Sequence, residues 1–178
     1  GFYSTAVSLC NTWVFLLTAI IDSLYPIILQ SFENKPLFER KNKQLYAIVF
    51  YVSVCVSMLI SLLASPIVNI LYGEAYSPAV SPLRIITWYT AFSYLGVARN
   101  AWIVSFNKQN YLKYLYVGAA ITNVFLNAIM IPLWGASGAA LASLLTQIST
   151  IIIFPALIKD LRPNVRLMLD AIRMKDIF

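Results

Sequence analysis

Five apolar stretches, each near the length of a bilayer crossing, alternate along the chain with short polar segments. The first runs from about Thr5 to Phe32 and holds one charge, Asp22, with Pro26 one turn further on. Leu45 to Ser65 is the second, which Pro66 either kinks or prolongs as far as Gly73. A third, Leu83 to Phe106, has Arg84 at its mouth and Arg99 within it. Between Lys113 and Lys159 lie 45 uncharged residues, which as one helix would extend roughly 68 Å, about twice the hydrocarbon thickness. They must double back once. "IPLWGASG", Ile131 to Gly138, supplies the reversal, because proline cannot continue the hydrogen-bond ladder and glycine accepts unusual backbone angles. The fourth and fifth spans are then Tyr114 to Leu133 and Ala136 to Ile158. Runs this long suit helices, whose backbone groups bond internally in lipid, rather than the alternating strands of ~10 residues found in barrels. The pattern predicts an all-α fold, a polytopic integral membrane helical bundle of about five transmembrane helices over residues 1–160. Residues 161–178 follow as a tail.

Composition agrees with this reading. The 178 residues are 60% hydrophobic and only 11% charged, where a soluble domain has roughly a quarter charged. Lys and Arg number 13 against 7 acids, a formal charge of +6, and 11 of the 13 fall in alternate loops. Glu33 to Gln44, Asn107 to Lys113 and the tail after Ile158 are basic; Gly1 to Ser4, Gly73 to Pro82 and Leu133 to Gly135 have no Lys or Arg. Basic residues are retained on the cytoplasmic side, so the N-terminus is expected outside and the C-terminus inside. Opening at Gly1 with no initiator Met, the chain reads as a fragment. In the tail, Leu161, Val165, Met168, Leu169 and Ile172 recur at helical spacing opposite Arg166, Asp170 and Arg173. That spacing predicts a cytoplasmic amphipathic helix on the anionic inner leaflet, or a linker into a further span.

Histidine is absent and both cysteines, Cys10 and Cys55, sit in apolar runs, which excludes a disulfide framework and a histidine-based metal or acid–base site. With no phosphate-cradling glycine loop and no acidic cluster in a loop, the chain is not expected to be an enzyme, to need a cofactor or to bind nucleic acid. Candidate chemistry resides in the spans, where an ionisable group costs ~2.5 to 3.5 kcal/mol at a helix centre unless it has a partner or water. Asp22 ends a polar stripe of Ser4, Ser8, Asn11 and Thr18, and Pro26 frees its carbonyl oxygen. The stripe either holds a coupling H⁺ or Na⁺ at Asp22 or joins neighbouring helices through hydrogen bonds. Arg99, next to Asn100, is some seven residues from the cytoplasmic end of its span. Its guanidinium fork matches phosphate oxygens; the alternative is snorkelling to the inner headgroups. Trp88, eleven residues earlier on nearly the same helical face, offers a plane for a sugar. Arg84 reads as an outer interface residue. Asn123 and Asn127, one turn apart, point two amides at one place for helix–helix bonding or for lining a cavity. Gly138, Ala142 and Thr146 at four-residue spacing predict close helix packing.

"IVNILYGEAYSPAVSPLRIITW" and "NVFLNAIMIPLWGASGAALASLLTQ" resemble the C-terminal half of Wzx-type O-antigen flippases, the polysaccharide transporters of the multidrug, oligosaccharidyl-lipid and polysaccharide exporter superfamily. The resemblance covers most of Gly1 to Asp160. It implies one lobe of a two-lobe alternating-access transporter in a bacterial inner membrane. The implied substrate is an undecaprenyl-pyrophosphate-linked oligosaccharide, and the implied partners are the N-terminal lobe of the same polypeptide, membrane lipid and the polysaccharide polymerase machinery. On that expectation Arg99 meets pyrophosphate, Trp88, Asn123 and Asn127 meet sugar, and Asp22 takes the coupling cation. A cation-coupled drug exporter of the same superfamily and a membrane polysaccharide polymerase or ligase are the alternatives.

Overall fold

The computed structural model describes residues 1–175, all helix and turn with no strand among them. In chain order the helices are α1 (Phe2–Asn11), α2 (Phe15–Gln30), α3 (Lys35–Tyr72), α4 (Val80–Ile86), α5 (Tyr89–Ala98), α6 (Asn100–Ser105), α7 (Asn110–Ile148), α8 (Phe154–Leu157) and α9 (Arg162–Ile172). A π-helical turn, Ser149–Ile153, links α7 to α8. Two helical stretches are long and apolar enough to cross a membrane, α3 and Asn110–Leu157; α1 and α2, bent by 43° where they meet, make a third if taken as one span. The Thr5 to Phe32 run is therefore a broken rod and not a straight one.

Counted by length alone, Asn110–Leu157 is a single helix of 48 residues, but one hydrogen bond rules that out. Asn123 Nδ2 donates to Thr146 Oγ1 at 3.3 Å, although 23 residues of straight helix would hold the two about 35 Å apart. The chain reverses at Gly135, whose φ of 54° and ψ of −129° lie outside the helical region. Beyond it the Gly138 backbone lies so close to the Met130 carbonyl oxygen that a β-carbon would collide with it. The expected hairpin is thus present, and the position at its tightest point must be glycine.

Helix α3 begins well before its apolar core. The Asn34 side chain accepts a bond from Leu37 N at 3.2 Å and Pro36 sits in the first turn, a combination that starts helices. It passes through Pro66 and ends at Gly73, φ 81°. The Leu83 to Phe106 run is split into α4, α5 and α6, with Thr87, Trp88 and Arg99 at the joints all retaining right-handed helical angles. Carbonyls released at the first joint are recovered by side chains: Ser57 Oγ and Thr90 Oγ1 donate to Thr87 O, and Cys10 Sγ approaches Ile86 O. Every such group buried without a donor would be costly. Arg84 Nε donates to Ser61 O, and Ser61 Oγ returns a bond to Arg84 O, both at 3.2 Å. Arg84 therefore clasps α3 as well as standing at the surface.

Contacts sort the connections into two groups at opposite ends of α3. At one end Phe32, Phe38 and Phe106 meet edge to face and Trp102 stacks tilted on Phe106. Lys43 pairs with Asp170 at 3.5 Å and Lys108 with Asp160 at 2.8 Å. These ties join the three basic segments. At the other end Phe2 meets Tyr76, Tyr3 bonds Ser143 and Ser137 bonds Ser81. The basic segments and the Lys/Arg-free segments thus gather at opposite ends of α3.

Leu161, Val165, Leu167, Met168 and Ala171 are buried against the protein and not presented to a leaflet. Helix α9 docks on α3, where Asn164 Nδ2 donates to Tyr46 Oη at 2.7 Å and Tyr51 Oη to Ile172 O at 2.7 Å. An apolar face of a short helix is covered by whichever surface reaches it first, and the basic end of α3 is at hand. Residues 176–178 of the expected tail lie outside those described.

Candidate functional site

Two adjoining cavities run along the bundle between α1, α5 and the two arms of α7. The outer one, 560 Å³, reaches Tyr3 and Ser143; the inner one, 320 Å³, reaches Arg99 and Asn100. They form one groove, since Tyr89, Ser93, Ala119 and Gln147 line both. Three polar helical faces converge on it. Tyr89, Ser93, Gly96 and Asn100 follow the i, i+4, i+7, i+11 spacing of one face, Tyr116, Ala120 and Asn123 that of the second, and Ser143, Thr146, Gln147 and Thr150 form the third.

Two glycines at the inner end stand close to side chains of the opposite wall. A β-carbon on Gly96 would lie 2.7 Å from Ile151 Cδ1, and one on Gly118 3.2 Å from the Phe154 ring. Both contacts fall on the segment that includes the π-helical turn, a feature concentrated at functional sites. This turn presents Thr150 and Ile151 to the same cavity as Arg99.

Arg99 is 2% exposed, yet its Nε and Nη1 atoms have no hydrogen-bond partner among the described residues. The phenols of Tyr46 and Tyr116 are its electrostatic neighbours, and neither lysine–carboxylate pair involves it. A buried cation in this condition is expensive, so the groove has an unmet demand for an anion or for water.

Other expected residues are distributed unevenly. Asn123 lines the groove and bonds Thr146 across the hairpin. Asn127 Nδ2 donates to Asn123 Oδ1 at 2.8 Å and orients it from behind, without lining either cavity itself. Trp88 lies at the joint between α4 and α5, half-buried and off the groove, and its neighbour Tyr89 stands on that wall instead. Asp22 is exposed on α2 with no ion pair or hydrogen bond among the described residues. The whole stripe of Ser4, Ser8, Asn11, Thr18 and Asp22 is exposed, and Asn11 alone reaches the groove.

Tyr89, Ser93, Tyr116 and Gln147 carry the groove's polarity and are absent from the expected set. Their signal is the helical spacing of small and polar residues on α5 and α7, which becomes visible only once the two faces are known to oppose each other. No group of three or more His, Cys, Asp or Glu that would hold a metal occurs among the described residues. The fold and groove define an all-helical protein with membrane-spanning potential. No family model, curated protein or solved structure matches the chain.

Proposed function

We propose that this chain is one lobe of an inner-membrane transporter, crossing the bilayer five times, that moves an anionic lipid-linked oligosaccharide from the cytoplasmic to the outer leaflet by alternating access. The observation that carries the reading is Arg99, a buried, unpartnered guanidinium at the inner end of a polar groove. Phosphate and sugar groups cannot cross ~30 Å of hydrocarbon without partners. A groove lined with hydroxyls and amides replaces their hydration, and the cation meets the pyrophosphate while the lipid tail stays among the acyl chains. A second lobe covering the groove supplies the opposite wall, and rocking of the two about the bound group exposes it to each side in turn. The Wzx-type resemblance stands as the expectation from which the undecaprenyl-pyrophosphate substrate is drawn.

Complementation of a strain lacking its polysaccharide flippase, using the complete protein, is the test. Arg99→Ala is expected to lower surface polysaccharide about tenfold or more, the scale of losing one charge-assisted hydrogen bond. Surface polysaccharide at its normal amount refutes the pyrophosphate role. The exposed, unpaired Asp22 favours a second reading, the cation-coupled exporter of cationic compounds. Under that reading Asp22→Asn abolishes drug efflux and Arg99→Ala does not. A polymerase or ligase would instead restore chain length in a strain whose flippase is intact.

A further inference from the structure

A third cavity, of 410 Å³, shares no residue with the Arg99 groove. Its walls are Leu24, Ile27 and Ile28 of α2 with Ala47 and Ile48 of α3, and Lys41 stands at the basic end. The slot opens to the surface, since Ile27 and Ile48 are both exposed. Tyr51, also in its wall, holds the end of α9 in place beside it through the bond to Ile172 O.

Lys41 is what sets this slot apart from ordinary lipid-facing surface. Three lysines of the chain are half-buried, and two of them have a carboxylate: Lys43 has Asp170 and Lys108 has Asp160. Lys41 has no ion pair among the described residues. A partly desolvated ammonium over an apolar trough, at the end of the bundle where basic loops gather, is complementary to an anion that carries a hydrocarbon tail. Basic pockets between helices on the cytoplasmic side bind anionic headgroups, and an empty apolar trough would forfeit its dispersion contacts.

We infer that this slot between α2 and α3 is a binding site for an anionic phospholipid of the inner leaflet, with the phosphate on Lys41 and one acyl chain lying along Ile27 and Ile48. The inference rests on the membrane reading above but not on the transported substrate. Such a lipid fills the space between the two helices at their basic end and holds their spacing there.

The complete protein in nanodiscs containing diazirine-tailed phosphatidylglycerol or phosphatidylcholine, irradiated and peptide-mapped, tests it. Phosphatidylglycerol is expected to label the α2 and α3 slot about fivefold more than phosphatidylcholine, the preference one interfacial lysine confers. Lys41→Gln removes the preference, whereas Lys35→Gln, at an exposed position outside the slot, keeps it. Ala47→Trp, which fills the trough, removes labelling by both lipids. Equal labelling by the two lipids, or a preference that survives Lys41→Gln, overturns the proposal. Alkaline carbonate extraction of native membranes separates the two levels: release of the protein overturns the membrane reading and this site with it, whereas retention without label in the slot overturns the site alone.

Discussion

At the end of the bundle carrying Phe32, Phe38, Phe106 and Trp102, helices are joined by aromatic contacts, two lysine–carboxylate pairs and the docked face of α9. The end carrying Tyr72 and Gly135 is joined by a buried cluster of small and aliphatic side chains, Ala6, Leu9, Ala64, Val68, Leu83 and Ile86 among them, with two hydroxyl pairs and the edge of Phe2 on Tyr76 beside it. Each buried large side chain contributes kilocalories at either end, while the ion pairs and hydroxyl pairs contribute about a kilocalorie or less each. The two ends therefore differ in what packs there: aromatic rings and ion pairs at the basic end, small and aliphatic side chains at the other.

Substitutions can break or sharpen this contrast. The largest effect is expected at the end carrying Gly135: Gly138→Val drives a side chain into the Met130 carbonyl and prevents the α7 hairpin from closing. Failure to recover monodisperse protein in detergent is the expected readout, and normal recovery would show that the hairpin is not needed. Next comes Phe38→Ala, 2% exposed in the aromatic cluster, expected to cost ~3 to 5 kcal/mol. Tyr76→Ala, exposed at the opposite end, is expected to cost well under half of that. Thermal-aggregation midpoints in a single detergent compare the two, and equal losses would show that the exposed Tyr76 ring is packed as tightly as Phe38.

Arg99→Gln comes third and carries the opposite sign. Removing a buried cation without a partner relieves its desolvation, so the midpoint is expected to hold or to rise while transport falls. A drop of several degrees would mean that Arg99 is bonded within the protein and is not waiting for a ligand.

The smallest effect concerns the basic-end clasp. Hydrogen bonds from Lys108 and from Tyr111 hold the Asp160 carboxyl below its usual range, and the same bond raises Lys108. A depressed acid stabilises above its unfolded pKa of 3.8 and loses that contribution as pH falls through the lower folded value. A raised lysine contributes fully below 10.5 and loses it as pH climbs through the higher folded value. Mobility of a spin label at Asn107 is therefore expected to stay flat between about pH 5 and 9. A step near neutrality would show that some other group controls the loop.

Much of the bundle was legible before any coordinates. Proline and glycine between Ile131 and Gly138 announced a reversal, and Gly135 makes it. Alternation of basic and Lys/Arg-free loops sorted the connections into two sets, and the contacts gather the same sets at two ends. Asn34 with Pro36 was a readable helix start, yet the apolar run beginning at Leu45 drew the boundary ten residues too late. Periodicity in the tail picked out Leu161, Val165 and Met168, which are buried against the protein, along with Leu169 and Ile172, which are half-buried. A helical pattern says that a face must be covered, not by what.

The groove was legible only in pieces. Arg99 and Asn123 stood out because a charge or a carboxamide in an apolar run is costly wherever it lies, and that cost can be read from one position. Trp88 was paired with Arg99 by counting 100° per residue over eleven positions, yet it is half-buried and lines neither cavity. Composition and hydropathy by themselves determined helices, the hairpin and the grouping of loops, because those follow from local backbone bonding and from the cost of polar atoms in hydrocarbon. Only the tertiary structure decided that Tyr89, Ser93 and Gln147 face one hollow, that Asp22 looks away from it, and that Lys41, unlike Lys43 and Lys108, has no carboxylate partner among the described residues. Each of these depends on which helix faces which, and that relation is set by close approach at single positions such as Gly96 and Gly138.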